Sequence, residues 1–312
     1  MRALIFTTLV TLAASQAFAQ APSSVESSVA TPTGFDVSAG VSSYSYREPG
    51  DQAIQIHAPK FVAEGTGTFL LSKQHHWFAQ GQFSGTTGNT TYNGWCSPFE
   101  INPNSASPNG YELDIGDATP CNESGDRDWY IEGRGLVGKD LLTQKWGWSP
   151  YTGMGLRYLS NGTTGTPGYR TDRYLYIPAG LTAHTNLGAH RPLSLNVEFD
   201  AMLHGWQNTH DSMLGGGDVP GTPTAPPFTV DGFTDISFSQ PGGWAVRASA
   251  KVPVTRIIFL EPYYVRWDVK SSPVNYETAT FTVNGISAQE QLGAYEPHNT
   301  TNEFGLKFGL HF

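Results

Sequence analysis

The sequence predicts an all-β fold, a transmembrane antiparallel up-and-down β-barrel of about ten strands, on three observations. At the C-terminus, Glu303, Gly305, Lys307, Gly309 and His311 alternate with Phe304, Leu306, Phe308, Leu310 and Phe312, which gives one polar and one apolar face. Past the N-terminal leader no run of about 18 apolar residues occurs, so helical spans are excluded. A bilayer protein without apolar helices must close its sheet to satisfy its backbone. Finally, the connections alternate between short and long, as periplasmic turns and outer loops do.

The front end reads as an export signal. Met1-Arg2 is a basic head, residues 3–14 are apolar, and Ala17-Phe18-Ala19 is a small-x-small cleavage site, so residues 1–19 are expected to be removed. That stretch is too short to serve as a membrane anchor. Residues 20–33, rich in Ser, Ala, Pro and Thr, are expected to be a flexible periplasmic tail, and residues 34–312 the barrel. The chain has 312 residues, with 35 Gly, 14 Tyr, 17 Phe and 8 Trp, 38% apolar content and a mean hydropathy of −0.31. About 290 residues after cleavage suit one barrel with loops and are too few for a general porin of about sixteen strands. Formal charge is −9, and loss of Arg2 makes it −10. The acidity reads as spread along the chain, in keeping with loop solubility, and no basic run points to nucleic acid.

In order, alternating segments predict strands over residues 34–46, 58–71, 75–86, 127–138, 148–160, 173–184, 192–207, 229–252, 255–270 and 300–312. The connections 72–74, 139–147, 185–191 and 253–254 are short; 47–57, 87–126, 161–172, 208–228 and 271–299 are longer and rich in Gly, Pro, Asn, Ser and Thr. In the seventh strand Leu193, Leu195, Val197, Phe199, Ala201 and Leu203 oppose Ser194, Asn196, Glu198, Asp200 and His204. The eighth sets Trp244, Val246, Ala248, Ala250 and Val252 against Arg247, Ser249 and Lys251. Pro241-Gly242-Gly243 marks either a hairpin, which raises the count to eleven, or a bulge or a strand rising above the membrane, which keeps it even; an even count favours the latter two. In the ninth, Tyr263, Val265, Trp267 and Val269 are expected to face lipid and Arg266, Asp268 and Lys270 the interior, with a bulge at Pro262 to turn Glu261 inward. Trp77, Trp129, Tyr158, Trp244, Tyr263 and Trp267 near strand ends suit interface girdles.

Projected inward, Glu64, Glu132, Arg134, Arg157, Glu198, Asp200, Arg247, Lys251, Arg266, Asp268, Glu303 and Lys307 form six acids against six bases. Buried charge is costly unless paired, and a barrel of about ten strands is only slightly wider than one that side chains fill. A mostly closed, ion-paired lumen is expected, with a narrow selective channel as the alternative. Cys96 and Cys121 lie in the long second outer loop, and in an oxidising compartment they are expected to pair as a loop staple. His75-His76 adjoin a short turn and, on adjacent positions, do not converge on a metal. No metal or cofactor motif is present in the sequence.

Several segments resemble a group of proteobacterial outer-membrane β-barrel proteins of unassigned function: Tyr44-Ser45-Tyr46-Arg47-Glu48-Pro49, Tyr151-Thr152-Gly153-Met154-Gly155-Leu156-Arg157-Tyr158-Leu159, Tyr174-Leu175-Tyr176-Ile177-Pro178-Ala179-Gly180, and Glu296-Pro297-His298-Asn299-Thr300-Thr301-Asn302-Glu303-Phe304-Gly305-Leu306. The resemblance implies a barrel in the outer membrane of a Gram-negative bacterium, and a monomer in contact with lipid and lipopolysaccharide is expected. Terminal Phe312 resembles the signal read by the barrel assembly machinery. A second resemblance, to the ten-stranded omptin proteases, rests on Asp126-Arg127-Asp128-Trp129 and His210-Asp211 at the outer ends of the fourth and seventh strands. It implies Asp126 and Asp128 polarising a water that His210, oriented by Asp211, activates. The His-Asp order is reversed relative to omptins, and no other segment is omptin-like. A surface-exposed structural or interaction protein, binding an extracellular ligand through Tyr-, Trp- and Gly-bearing loops, is therefore the leading expectation, ahead of channel or enzyme.

Overall fold

The computed structural model describes residues 29–50, 53–162, 169–186 and 192–312. Ten long strands form the barrel: Gly34–Glu48, Ile54–Ser72, Trp77–Cys96, Thr119–Lys139, Trp146–Asn161, Arg170–Thr185, Leu193–Thr209, Gly243–Pro253, Ile258–Val269 and Asn299–His311, called first to tenth below. Each pairs antiparallel with its sequence neighbours, and the first closes on the tenth, with Val41 opposite Leu306. The seam is locked at its end, where the Phe312 amide donates to the Phe35 carbonyl at 2.8 Å and the Phe35 amide to the Phe312 carbonyl at 3.1 Å.

Period-two alternation fixes the two faces. Val41, Phe61, Phe83, Met154, Val197 and Phe304 point outward and are each more than half exposed, while Tyr44, Glu132, Arg157, Tyr176, Asp200 and Glu303 point inward and are buried. A continuous exposed apolar belt of this kind is a bilayer surface. Among the described residues no helix is long and apolar enough to cross a membrane.

The strands agree with expectation at their short-turn ends and exceed it at the other. The third and fourth run for 20 and 21 residues, about twice the span that a bilayer requires. Their upper halves occupy much of what the sequence presents as a loop over 87–126. Asn89, Thr90, Thr91 and Asn93 are all polar and carry no apolar period, but the backbone ladder continues through them.

The eighth strand needs a correction. Phe228–Phe233 leaves the barrel and joins a separate outer sheet, while Ser237–Gln240 and Gly243–Pro253 both pair with the seventh strand. Pro241-Gly242 is thus an interruption along one strand path, not a hairpin, and the barrel count stays at ten. Opposite it, the seventh strand shifts register between Met202 and His204. His204 consequently packs beside Trp206, with ring centroids 4.3 Å apart, instead of sharing the face of Asp200.

The ninth strand is inverted relative to expectation. Its pairing with the tenth is regular from Ile258 opposite Leu310 to Val269 opposite Asn299, so no bulge occurs at Pro262. Phe259, Glu261, Val265, Trp267 and Val269 are all buried inside the barrel, and Leu260, Pro262 and Tyr264 are exposed outside it. Arg266 and Asp268 share the outward parity and do not belong to the lumen; Asp268 instead meets His298 at 3.1 Å. Likewise Tyr263 and Trp267 are not girdle residues, whereas Trp77 is exposed outward and Trp129 packs against Tyr158 with the rings tilted.

The predicted leader and most of the predicted tail lie outside the described residues. Residues 29–33, expected to be flexible, are instead tied to the inner mouth. Val29 is buried, the Thr31 amide donates to Asp140 at 3.0 Å, and the Thr31 hydroxyl meets Asp140 at 2.5 Å and Ser149 at 3.0 Å. Polar composition mimicked disorder, but these groups find buried polar partners.

Candidate functional site

The barrel interior is built in layers. At mid-height the Arg247 guanidinium donates to both Glu132 oxygens, at 2.8 and 2.6 Å, and to Asp200 at 2.7 Å, and lies 3.3 Å from Glu198. Glu198 is also held by Arg134 and by the Tyr151 hydroxyl at 2.7 Å. Beside this cluster Lys307 bridges Glu64 at 2.8 Å and Glu261 at 3.3 Å, and Glu303 accepts from Tyr130 at 2.9 Å and Tyr263 at 2.6 Å. Lys251 pairs with Asp36 at 2.7 Å. The structure therefore brings together every predicted lumen residue except Arg266 and Asp268.

Arg157 is inside too, yet no carboxylate among the described residues lies within ion-pair distance. Its guanidinium sits 3.9 Å from the Tyr130 ring centroid and 5.5 Å from that of Trp267, a cation held by aromatic faces. Aromatic filling is the part that sequence reasoning missed. Tyr176 and Trp267 meet edge to face at 5.2 Å, and Tyr174, Tyr130, Met202, Val265 and Val269 pack around them. Tyr176, Trp267, Arg157 and Glu303 are each no more than 1% exposed. Inward glycines seat the rings: a Cβ on Gly155 would lie 2.1 Å from Tyr176 Cζ, and one on Gly180 2.3 Å from Tyr151 Cζ.

Asp36 and Lys60 were also missed as lumen groups, while Glu261, expected to turn inward at a bulge, is inside without one. Lys60 was visible by parity, two residues before Val62 and four before Glu64 on the inward row. Below the plug is a polar chamber of about 150 Å³, lined by Thr66, Gln80, Gln82, Asn196 and Lys251, with Thr31 and Pro32 along its inner side.

The four candidate protease residues are placed as follows. Asp128 is buried and its carboxylate receives Lys60 Nζ at 2.8 Å, with that ammonium 3.3 Å above the Tyr44 ring. A carboxylate committed to a buried lysine is not available to polarise a water. Asp126 lies on the fourth strand's upper half, where its carbonyl accepts from Thr90. His210 stacks on Tyr169 at 3.9 Å, with Thr171 Oγ1 3.4 Å from Nε2, and Asp211 opens the short 3-10 turn Asp211–Met213. No hydrogen bond or ion pair joins either member of the first pair to the second among the described residues.

Above the barrel the predicted loops are folded. Gly217–Val219, Phe228–Phe233, Asn275–Val283 and Ile286–Ala294 form a four-stranded sheet, and Phe99–Pro103 pairs with Tyr111–Ile115 as a hairpin. These outer elements share a core of Ile101, Leu113, Phe228, Val230, Phe281 and Val283. Cys96 and Cys121 are disulfide-bonded, Cα to Cα 5.7 Å, and staple the top of the third and fourth strands.

At the rim, Glu296 is buried with Arg170 at 3.2 Å and the Tyr46 hydroxyl at 3.3 Å. Burial lifts its carboxyl above the ordinary carboxylate range, Glu48 adding to the effect and Arg170 opposing it. Glu277, in the outer sheet, is pushed up to about 7 by burial and by the nearby charges of Asp211 and Asp235, against the pull of Arg170.

Charge is not spread along the chain as expected. Segments 97–126, 210–243 and 271–298, which supply the outer elements, hold 13 of the 27 acidic residues and none of the 18 Lys and Arg. Among the described residues no cluster of His, Cys, Asp and Glu is arranged to hold a metal.

No protein-family model matches the chain, and no curated protein matches it in sequence. Among solved structures it is similar to the outer-membrane protease OmpT from Escherichia coli, at 13% identity over 93% of this chain and 100% of that one, with a TM-score of 0.49. It is similar to an outer-membrane channel from Pseudomonas putida F1, at 12% identity over 94% and 100% of the two chains and a TM-score of 0.38. Ail, the attachment invasion locus protein of Yersinia pestis, aligns at 10% identity over 90% and 100%, with a TM-score of 0.29. At these identities no activity is carried from any of them to this chain, whose own strand pairing and exposed belt make it an outer-membrane-type β-barrel.

Proposed function

We propose that the protein is a surface-exposed interaction protein of the Gram-negative outer membrane, in which a side-chain-filled barrel anchors an acidic folded head. The observation that carries the reading is the pairing of the Arg247 plug with an outer sheet that has its own apolar core. A transport path needs a continuous wet lumen, and Tyr176, Trp267 and Arg157 occupy that space. A recognition surface needs rigid presentation, which the core and the Cys96–Cys121 staple supply. On this reading lipid and lipopolysaccharide surround the belt, Phe312 is the handle for barrel assembly, the protein is a monomer, and no cofactor takes part.

The polar chamber at the inner end favours one second reading, a narrow channel gated by Arg247. Planar-bilayer recording separates the two. The anchor reading expects a silent trace from the refolded wild type; discrete steps that change in Arg247→Ala would replace it with the channel.

A further inference from the structure

The structure assigns a docking edge for an extended cationic segment of a partner polypeptide to strand Ile286–Ala294 of the head; the inference rests on the interaction reading above. This strand is terminal in the four-stranded outer sheet. One side pairs without a bulge to Asn275–Val283, from Asn275 opposite Ala294 to Val283 opposite Ile286. Among the described residues no strand pairs with its other side. The backbone donors and acceptors of every second residue in this nine-residue strand therefore face outward as a ready template for one more strand.

Natural edge strands are usually blunted by Lys, Pro or a bulge. Ile286–Ala294 has none of these: its exposed row is Ser287, Gln289, Gln291 and Gly293, and its only charge is Glu290. Tyr276 and Val274, both more than half exposed, adjoin the strand's end at Gly293 and give an incoming segment an apolar foothold.

Charge selects the occupant. The outer segments carry 13 acids and no Lys or Arg, so a cationic strand is attracted and a second copy of the same head repelled. Pairing of two copies through this edge would bring two Glu290 carboxylates and two acidic heads together. A cation without a backbone, in turn, leaves the edge amides and carbonyls unpaired.

The test uses the full-length protein refolded in nanodiscs. One probe is a short synthetic peptide alternating Lys and Thr, and its control is a Lys-Pro-Pro repeat with the same number of lysines, which keeps the charge but strips most ladder donors from both edges. The strand-forming probe should bind at least about tenfold more tightly than the prolyl control. It should slow amide exchange within residues 286–294, and Glu290→Lys should weaken it while heat-modifiable gel mobility stays normal. Equal binding of both peptides, or protection confined to other parts of the head, overturns the edge assignment. Absence of binding overturns it as well, and with a silent bilayer trace the interaction reading survives that result. A conducting trace removes the interaction reading itself, whatever the peptides do.

Discussion

Replacing Arg247 with Met should disable the plug, and the structure sets the size of the effect. The guanidinium makes two bonds to Glu132 and one to Asp200, at 2.6 to 2.8 Å, and its side chain is 14% exposed. Methionine nearly preserves the volume, so packing loss is small. What remains is uncompensated charge: Glu132 keeps the Tyr176 hydroxyl at 2.6 Å, Glu198 keeps Arg134, and Asp200 loses its cation. Removing one partner of a buried pair costs about 3 to 5 kcal/mol, or roughly two to three and a half orders of magnitude in the folding constant. Urea titration of the refolded barrel, followed by tryptophan fluorescence, measures this. Adding Glu132→Gln and Asp200→Asn to the variant should return most of the loss, because the stranded charges are then gone. A loss below about 1 kcal/mol in the single variant would show that water, not Arg247, satisfies these carboxylates, and the sealed-lumen argument would fail with it.

Gly155→Ala puts a Cβ 2.1 Å from Tyr176 Cζ beneath a fully buried ring, and should cost about 1 to 3 kcal/mol in the same titration. Cys96→Ser with Cys121→Ser opens a closure of 25 residues worth about 3.5 kcal/mol on the chain-entropy model; since it staples the upper strands, exchange should quicken at the head while the barrel's denaturation midpoint moves little. Thr31→Val removes the hydroxyl that meets Asp140 and Ser149 and should speed amide exchange at residues 29–33 alone. Glu277 holds its proton more tightly folded than unfolded, so its contribution is present at low pH and is lost as pH rises through about 7. Local opening of Asn275–Val283, corrected for intrinsic exchange, should therefore be more frequent at about pH 8 than at about pH 5.5, and Glu277→Gln should flatten the difference.

The barrel was legible because lipid enforces alternation. The tenth strand carries ions and glycines on one row and Phe304, Leu306, Phe308 and Leu310 on the other, and the first, second, fourth, fifth and seventh follow suit through most of their spans. The ninth misled because both of its rows carry aromatic and charged residues. Trp267 and Val269 look like lipid groups, but a lumen partly filled by rings takes them inside, and Arg266 and Asp268 sit high enough on the outer face to be wet. Glu261 was the reliable marker: an unpaired carboxylate in lipid is far costlier than a tryptophan in a core, so its parity decides the strand. The head was hidden for another reason. Its strands are short, scattered over three loops and wet on one face, so their shared core of Ile101, Phe228 and Phe281 appears only when the segments meet. The protease pair was legible only as a motif; Lys60, 68 residues from Asp128, decides its chemistry.

The division of charge within the chain constrains what the head is for. All 18 Lys and Arg lie outside the three outer segments, and several of them, Lys60, Arg134, Arg247 and Lys307, are committed to carboxylates inside the barrel. The head's acids thus have few basic partners in their own chain, Arg170 at the rim being one. The like charges of these three segments repel one another and favour opening, an effect that screening within about 8 Å at physiological salt reduces but does not abolish. If these acids served only to keep loops soluble, a mixture with lysines would do so with less strain on the head, and loops would not need a core and a disulfide to hold them together. A head that tolerates this repulsion, braced by Phe281, Val283 and the Cys96–Cys121 staple, is arranged so that its missing cations come from outside.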